Sequence, residues 1–341
     1  MRIIKEADFR REIKSAPACA YLFFGDEDYT KNHAINLARE CIVGDPSLAM
    51  FNEMKLDALS FSIDSLVDML ASPPMMAERK LIIITGLDFI TMKAGELDAL
   101  VSALGLLEEY DFNTVIIATT ADKFDMGYSL KKPSATLTKL SGVMTPVHFE
   151  KNSPQRLAMW AGKHYEHNGV LADASVSAFT VEYCGRDMFT LSEEIRKISF
   201  YALSQNRSTV TVDDVRLVGV NSLEYDTYAF TNAICARKKD VALNILLDMK
   251  KKRTEPIYIM SEVSRTVCEL VSVSALLRDG LTHAEISKLL DMHEFRISLL
   301  AKSAKEIQNP RRILSMCKDA DKDIKLGGDG YIILEKLICT M

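Results

Sequence analysis

The chain has 341 residues, 48% of them hydrophobic and 26% charged, with 15 glycines and 9 prolines; the length fits two or three domains, and the composition excludes disordered, collagen-like and coiled-coil classes. A formal charge of −5 argues against a protein that holds nucleic acid mainly through its own surface, because phosphate neutralisation needs clustered lysine and arginine. The seven cysteines lie at least 22 residues apart, without metal-ligand or redox spacing, and no stretch approaches the roughly 18 apolar residues of a membrane span; a soluble, cytoplasmic protein is expected.

In chain order, apolar β-prone runs at 20–25 (AYLFFG), 80–86 (KLIIITG), 113–120 (NTVIIATT) and 145–150 (TPVHFE) predict strands bounded by turn residues. Between them, 62–71 (SIDSLVDMLA) repeats Ile63, Leu66, Val67 and Leu70 on one helix face. Strands that are apolar throughout and alternate with helices imply a parallel sheet covered on both faces. From Ser153-Pro154 onward the pattern becomes helix after helix. Helices are predicted at 186–203 and 254–280, and Thr211 with Asp214 and Thr282 with Glu285 have capping-box spacing. The predicted class is therefore α/β plus all-α: an α/β domain over 1–150, a three-helix domain over 151–219 and a helical domain over 220–341.

Three stretches are candidate sites. Residues 21–42 (YLFFGDEDYTKNHAINLARECI) form a strand, a turn and a helix, the setting of a phosphate-binding loop, but Gly25 is followed by Asp26, Glu27 and Asp28 where G-x-x-x-x-G-K-[ST] is required. Three carboxylates at a helix start suit its dipole and repel a triphosphate, so helix capping is the expected role. Asp88, after the IIIT run, also lacks the paired carboxylate of a magnesium-binding ATPase strand, and ATP hydrolysis is not expected. In 71–80 (ASPPMMAERK), Pro73-Pro74 ends a helix and holds the chain extended, presenting Met75 and Met76 either as an anchor for a partner's apolar pocket or as packing under the sheet edge. Segment 281–305 has helix-turn-helix spacing, yet Glu294, Phe295, Arg296 and Lys302 make a poor base-reading set, which favours packing.

The basic runs Arg237-Lys238-Lys239 and Lys250-Lys251-Lys252-Arg253 read as solvated helix ends. His164 and His167 lack a third ligand. No catalytic constellation appears, and neither a metal nor a cofactor is expected.

Taken together, AYLFFGDEDY, LASPPMMAERKLIIITG, CGRDMFTLSEEIRKISFYA, HAEISKLLDMHEFRISLLAKSAK and DIKLGGDGYIILEKLICTM resemble, in order and spacing, the delta-subunit family of bacterial DNA polymerase III clamp loaders. The resemblance implies a degenerate AAA+ (P-loop NTPase-like) α/β domain without a functional phosphate loop, a helical lid domain, and a C-terminal helical collar through which loader subunits assemble. It also implies a subunit that binds and opens the sliding clamp, for loading onto primed DNA, without binding ATP itself. It would share the name DNA-directed DNA polymerase by holoenzyme membership alone. The implied clamp-binding residues are Met75 and Met76, with Pro74 and Arg79 as neighbours. The implied partners are the sliding clamp (beta subunit), the tau/gamma and delta-prime subunits through the collar, and primed DNA within the assembled complex, with no membrane. The rival readings are a helix-turn-helix DNA-binding regulator built on 281–305 and an active AAA+ ATPase.

Overall fold

The computed structural model describes residues 2–304 and 309–340. Lys305 and Met341, which end two of the segments quoted above, lie outside them. The chain divides into two compact units, Met1–Ser153 and Pro154–Met341.

The first unit runs β1 (Ile4–Lys5), α1 (Glu6–Ser15), β2 (Ala20–Gly25), α2 (Asp28–Ile42), α3 (Ala49–Asn52), β3 (Glu53–Leu56), α4 (Ile63–Ala71), β4 (Lys80–Thr85), α5 (Ala94–Gly105), β5 (Asn113–Ala118), a small hairpin of β6 (Gly127–Ser129) and β7 (Lys132–Pro133), α6 (Ala135–Leu140) and β8 (Thr145–Phe149). Six strands form one sheet in the order β1-β8-β2-β5-β4-β3, parallel at every pairing. The four predicted strands are present. Their residues alternate between two cores, as a pleated sheet covered on both faces requires. Leu22, Phe24, Ile82, Ile84, Val115 and Ile117 pack with α4, α5 and α6, whereas Tyr21, Phe23, Leu81, Ile83 and Ile116 pack with α1 and α2. β1 and β3 had no sequence signature: β1 is two residues long and β3 buries one of its four.

In α4, the Ser62 hydroxyl accepts from the backbone N–H of Ser65, the capping that its position predicts. Leu66 and Leu70 are buried, and the helix stops ahead of Pro73-Pro74, since proline cannot continue it.

The second unit is helical: α7 (Pro154–His167), α8 (Ala174–Cys184), α9 (Met188–Ser204), α10 (Val212–Val218), α11 (Leu223–Cys235), α12 (Lys239–Lys251), α13 (Pro256–Arg278), α14 (His283–Leu290), α15 (Glu294–Ala304), α16 (Pro310–Lys325) and α17 (Gly330–Thr340). Residues 154–219 thus hold four helices, against the expected three. The unforeseen one is α8, whose sequence ASVSAFTVEYC is rich in β-branched residues of low helix propensity; tertiary packing decides it, burying Val176, Thr180, Val181 and Cys184. Both capping boxes form, Thr211 with Asp214 and Thr282 with Glu285. The 23-residue α13 is the centre of the last part, its buried face shared by two apolar clusters. No helix among the described residues is long and apolar enough to cross a membrane.

Candidate functional site

In an open parallel sheet, ligands bind beyond the carboxyl ends of the strands, where the strand order reverses. Here that point is the end of β2, flanked by β5 and β8. Gly25 has a φ of +112°, and a Cβ there would stand 2.4 Å from the Phe149 carbonyl oxygen. The next residue's backbone N–H, that of Asp26, donates to the same oxygen at 3.0 Å. The glycine therefore closes β2 against β8, a need independent of any phosphate.

A buried lysine lies at this strand end. The Lys31 side chain, on the first turn of α2, is buried, and its ammonium donates to the carbonyl oxygens of Gly25 at 2.7 Å and Thr119 at 2.6 Å and to Asp28 Oδ1 at 2.8 Å. The expected capping role of Asp26, Glu27 and Asp28 takes another form: Glu27 is the N-cap residue but its side chain makes no capping bond, and Asp28 pairs with Lys31. Asp88 serves its own turn, its Oδ1 accepting from the N–H groups of Ile90 and Thr91. Hydrogen bonds in that turn, led by those from Thr91, hold its carboxyl below the usual range.

The loop between α4 and β4 presents the methionines. Met75 is 50% exposed and Met76 86%, so neither packs under the sheet. Met76 has a φ of +53°, in the left-handed region. On the entry side, the last carbonyls of α4 are satisfied from beneath. The buried Lys80 ammonium donates to the carbonyls of Met69 and Ser72, and the Asn113 amide donates to Leu70 at 3.0 Å; a cation suits a helix C-terminus. Burial pulls the Lys80 pKa below its usual value. On the exit side, Arg79 turns inward, donating to the Asn113 carbonyl at 3.1 Å and contacting Cys19 Sγ at 3.6 Å. At the tip, the Asn52 side chain accepts from the Met75 N–H at 2.7 Å and donates to the Met75 carbonyl at 2.8 Å. Pro74 is half-buried beside them.

The remaining candidates are used in packing. In 281–305, Ile286, Ile297 and Leu300 are buried in one cluster, and Arg296 donates to Glu269 and Asn232. Lys250 and Lys251 occupy the last turn of α12, as expected, whereas Lys252 bonds Asn221 and the buried Asp226. His164 stacks on Trp160 and meets Ser192 Oγ at 3.0 Å. Among the described residues no group of three or more His, Cys, Asp or Glu is arranged to hold a metal ion.

Residues 224–341 match the family described as DNA polymerase III delta subunit, C-terminal domain. Over 331 residues the chain is 24% identical to DNA polymerase III subunit delta of Bacillus subtilis (strain 168), covering 94% of this chain and 92% of that one. The chain is similar to the delta subunit of bacterial DNA polymerase III. A solved structure, the Bacillus subtilis DNA clamp loader delta protein (YqeN), superimposes on this delta-like chain with a TM-score of 0.56 at 20% identity, covering 98% of each. A Thermotoga maritima RuvB Holliday junction branch migration motor gives 0.42 at 8% identity, covering 88% of this chain and 87% of that one. The fold class is the expected one, a parallel α/β domain followed by helices.

Sequence reasoning missed Lys31, Lys80 and Asn52. The two lysines leave a trace. Lys31 shares the spacing of Ala34, Ile35 and Ala38 on the buried face of α2, and Lys80 opens an otherwise apolar strand; a cation at a core position needs a partner. Asn52 leaves none, because its partner is 23 residues away.

Proposed function

We propose that this chain works as the delta subunit of a DNA polymerase III clamp loader, binding the sliding clamp and opening it for loading onto primed DNA without hydrolysing ATP itself. The observation that carries the reading is the Met75–Met76 pair, exposed on a proline-stiffened loop tied at both ends and at its tip, in a chain similar to delta subunits along nearly its whole length.

Two flexible, polarizable side chains suit an apolar pocket on a partner, and burying what remains exposed of them is worth about 2–4 kcal/mol before the costs of association. If the open clamp offers the better pocket, the difference in affinity shifts the clamp toward opening. Met75 and Met76 make the contact, Pro74 shapes the approach, and Arg79 secures the exit of the loop. No bond is made or broken by this chain, and the Lys31 ammonium is engaged by Gly25, Asp28 and Thr119. Nucleotide then acts through partner subunits. Residues 151–219 serve as the lid and 220–341 as the collar, which meets the tau/gamma and delta-prime subunits; primed DNA is met within the assembled complex.

The test is calorimetric binding of the purified chain to the sliding clamp of the same organism, with wild type beside Met75→Ser/Met76→Ser. Both residues are exposed, so the variant keeps its melting temperature. Binding by wild type and its loss in the variant support the function and the anchor; equal binding moves the anchor elsewhere. Absence of wild-type binding, alone and with the partner subunits added, overturns the function. Strong salt-dependent binding of duplex DNA by this chain alone would favour a DNA-binding regulator instead.

A further inference from the structure

We propose that Asn52 is the positioning residue of the Met75–Met76 anchor, presetting the loop in the form that the clamp takes up; this rests on the clamp-binding reading above. Met76 has a left-handed backbone, which the Cβ of an L-residue disfavours, so something around it must hold it there. Its own side chain cannot, being 86% exposed. The proline pair lies before it, and Arg79 and Lys80 fix the chain three and four residues after it. The hold at the tip is the pair of bonds from Asn52 to the N–H and carbonyl of Met75.

That pair has the donor-and-acceptor pattern of a neighbouring strand, supplied by one planar carboxamide. Asn52 is fully buried and ends α3, directly before β3 at the sheet edge, so the loop is referenced to the sheet itself. An exposed loop held this way loses little conformational freedom on binding. Without the hold, only the fraction of molecules with the tip correctly shaped binds, and apparent affinity falls by that fraction.

The experiment measures clamp affinity and association rate, together with melting temperature and amide exchange at Met75, for wild type, Asn52→Leu and Asn52→Asp in the full chain. Asn52→Leu keeps the γ-branched shape, with bulkier methyl ends, and loses both bonds. It is expected to bind the clamp about tenfold more weakly, mainly through slower association, with faster exchange at Met75 in the free chain. Asn52→Asp provides a readout that general destabilisation would not move. As a carboxylate it cannot donate to the Met75 carbonyl, but once protonated it offers one donor and one acceptor, as the amide does, and its burial raises its pKa. Its affinity should therefore recover toward wild type between pH 7.5 and 5.5, while the wild-type affinity changes far less. Wild-type affinity in Asn52→Leu, or weakened binding by Asn52→Asp that does not recover at low pH, overturns the positioning role while the clamp reading stands on Met75→Ser/Met76→Ser. A wild-type chain that does not bind the clamp overturns both.

Discussion

The Lys31 ammonium lies 2.6 Å from the carbonyl oxygen of Thr119, joining the first turn of α2 to the residue just beyond β5 across 88 positions of sequence. With the bond to Gly25, it ties together the carboxyl ends of two adjacent strands at the point where a sheet of this topology would receive a ligand.

Removing this ammonium leaves carbonyls at these strand ends without their donor, at a cost of about 1–3 kcal/mol for each one left buried. Lys31→Ala is expected to lose about 2–4 kcal/mol in urea denaturation, and Lys31→Met, which keeps the apolar stem, somewhat less. Neither variant should gain affinity for a fluorescent ATP analogue, because the acidic turn at 26–28 remains. Saturable, micromolar binding by wild type would overturn the proposal that this chain does not bind ATP.

Arg79 separates two roles by where its guanidinium goes. It is directed to the Asn113 carbonyl and Cys19, and its buried Nε has no partner among the described residues. Arg79→Ala should therefore lower stability, by about 1.5–3 kcal/mol on the scale of a lost charged hydrogen bond, while folded protein binds the clamp within about threefold of wild type. Melting curves and calorimetry on one preparation decide this. Unchanged melting with an affinity loss as large as that of Met75→Ser/Met76→Ser would place Arg79 in the contact instead.

Asp214 carries an acid-sensitive part of the stability of the second unit. Arg207 grips it with two bonds of 2.6 and 2.8 Å, and these, with donors from Thr211, hold its carboxyl down at about 2, against 3.8 for a free aspartate. A carboxyl whose folded pKa is depressed stabilises the fold above the unfolded pKa and loses that contribution as pH falls through the folded value. The contribution is thus complete above about pH 5 and fades between about pH 4 and 2. Asp214→Asn should melt several degrees below wild type at pH 7, with the gap narrowing steadily below pH 4. A gap constant from pH 7 to 3 would refute the assignment.

Amino-acid order alone determined the four central strands, α4 with its serine cap, both capping boxes and the change to helices at Pro154, because each follows from apolar periodicity or from residues within a turn of one another. It also determined what is absent at 25–28, since a phosphate loop is a local motif, and it placed Met75 and Met76 on a stiff segment, since two prolines act on their immediate neighbours. Tertiary structure decided the rest. Whether the methionines faced water or the sheet edge was open in the sequence, as apolar character fits either, and folding exposed them. Helix α8 formed against its β-branched composition because its face is buried. Lys31, Lys80 and Asn52 acquired partners 88, 11 and 23 residues distant, and no periodicity encodes such pairings. They exist because buried backbone groups at the ends of strands and helices must be satisfied wherever the topology brings a donor or acceptor within reach.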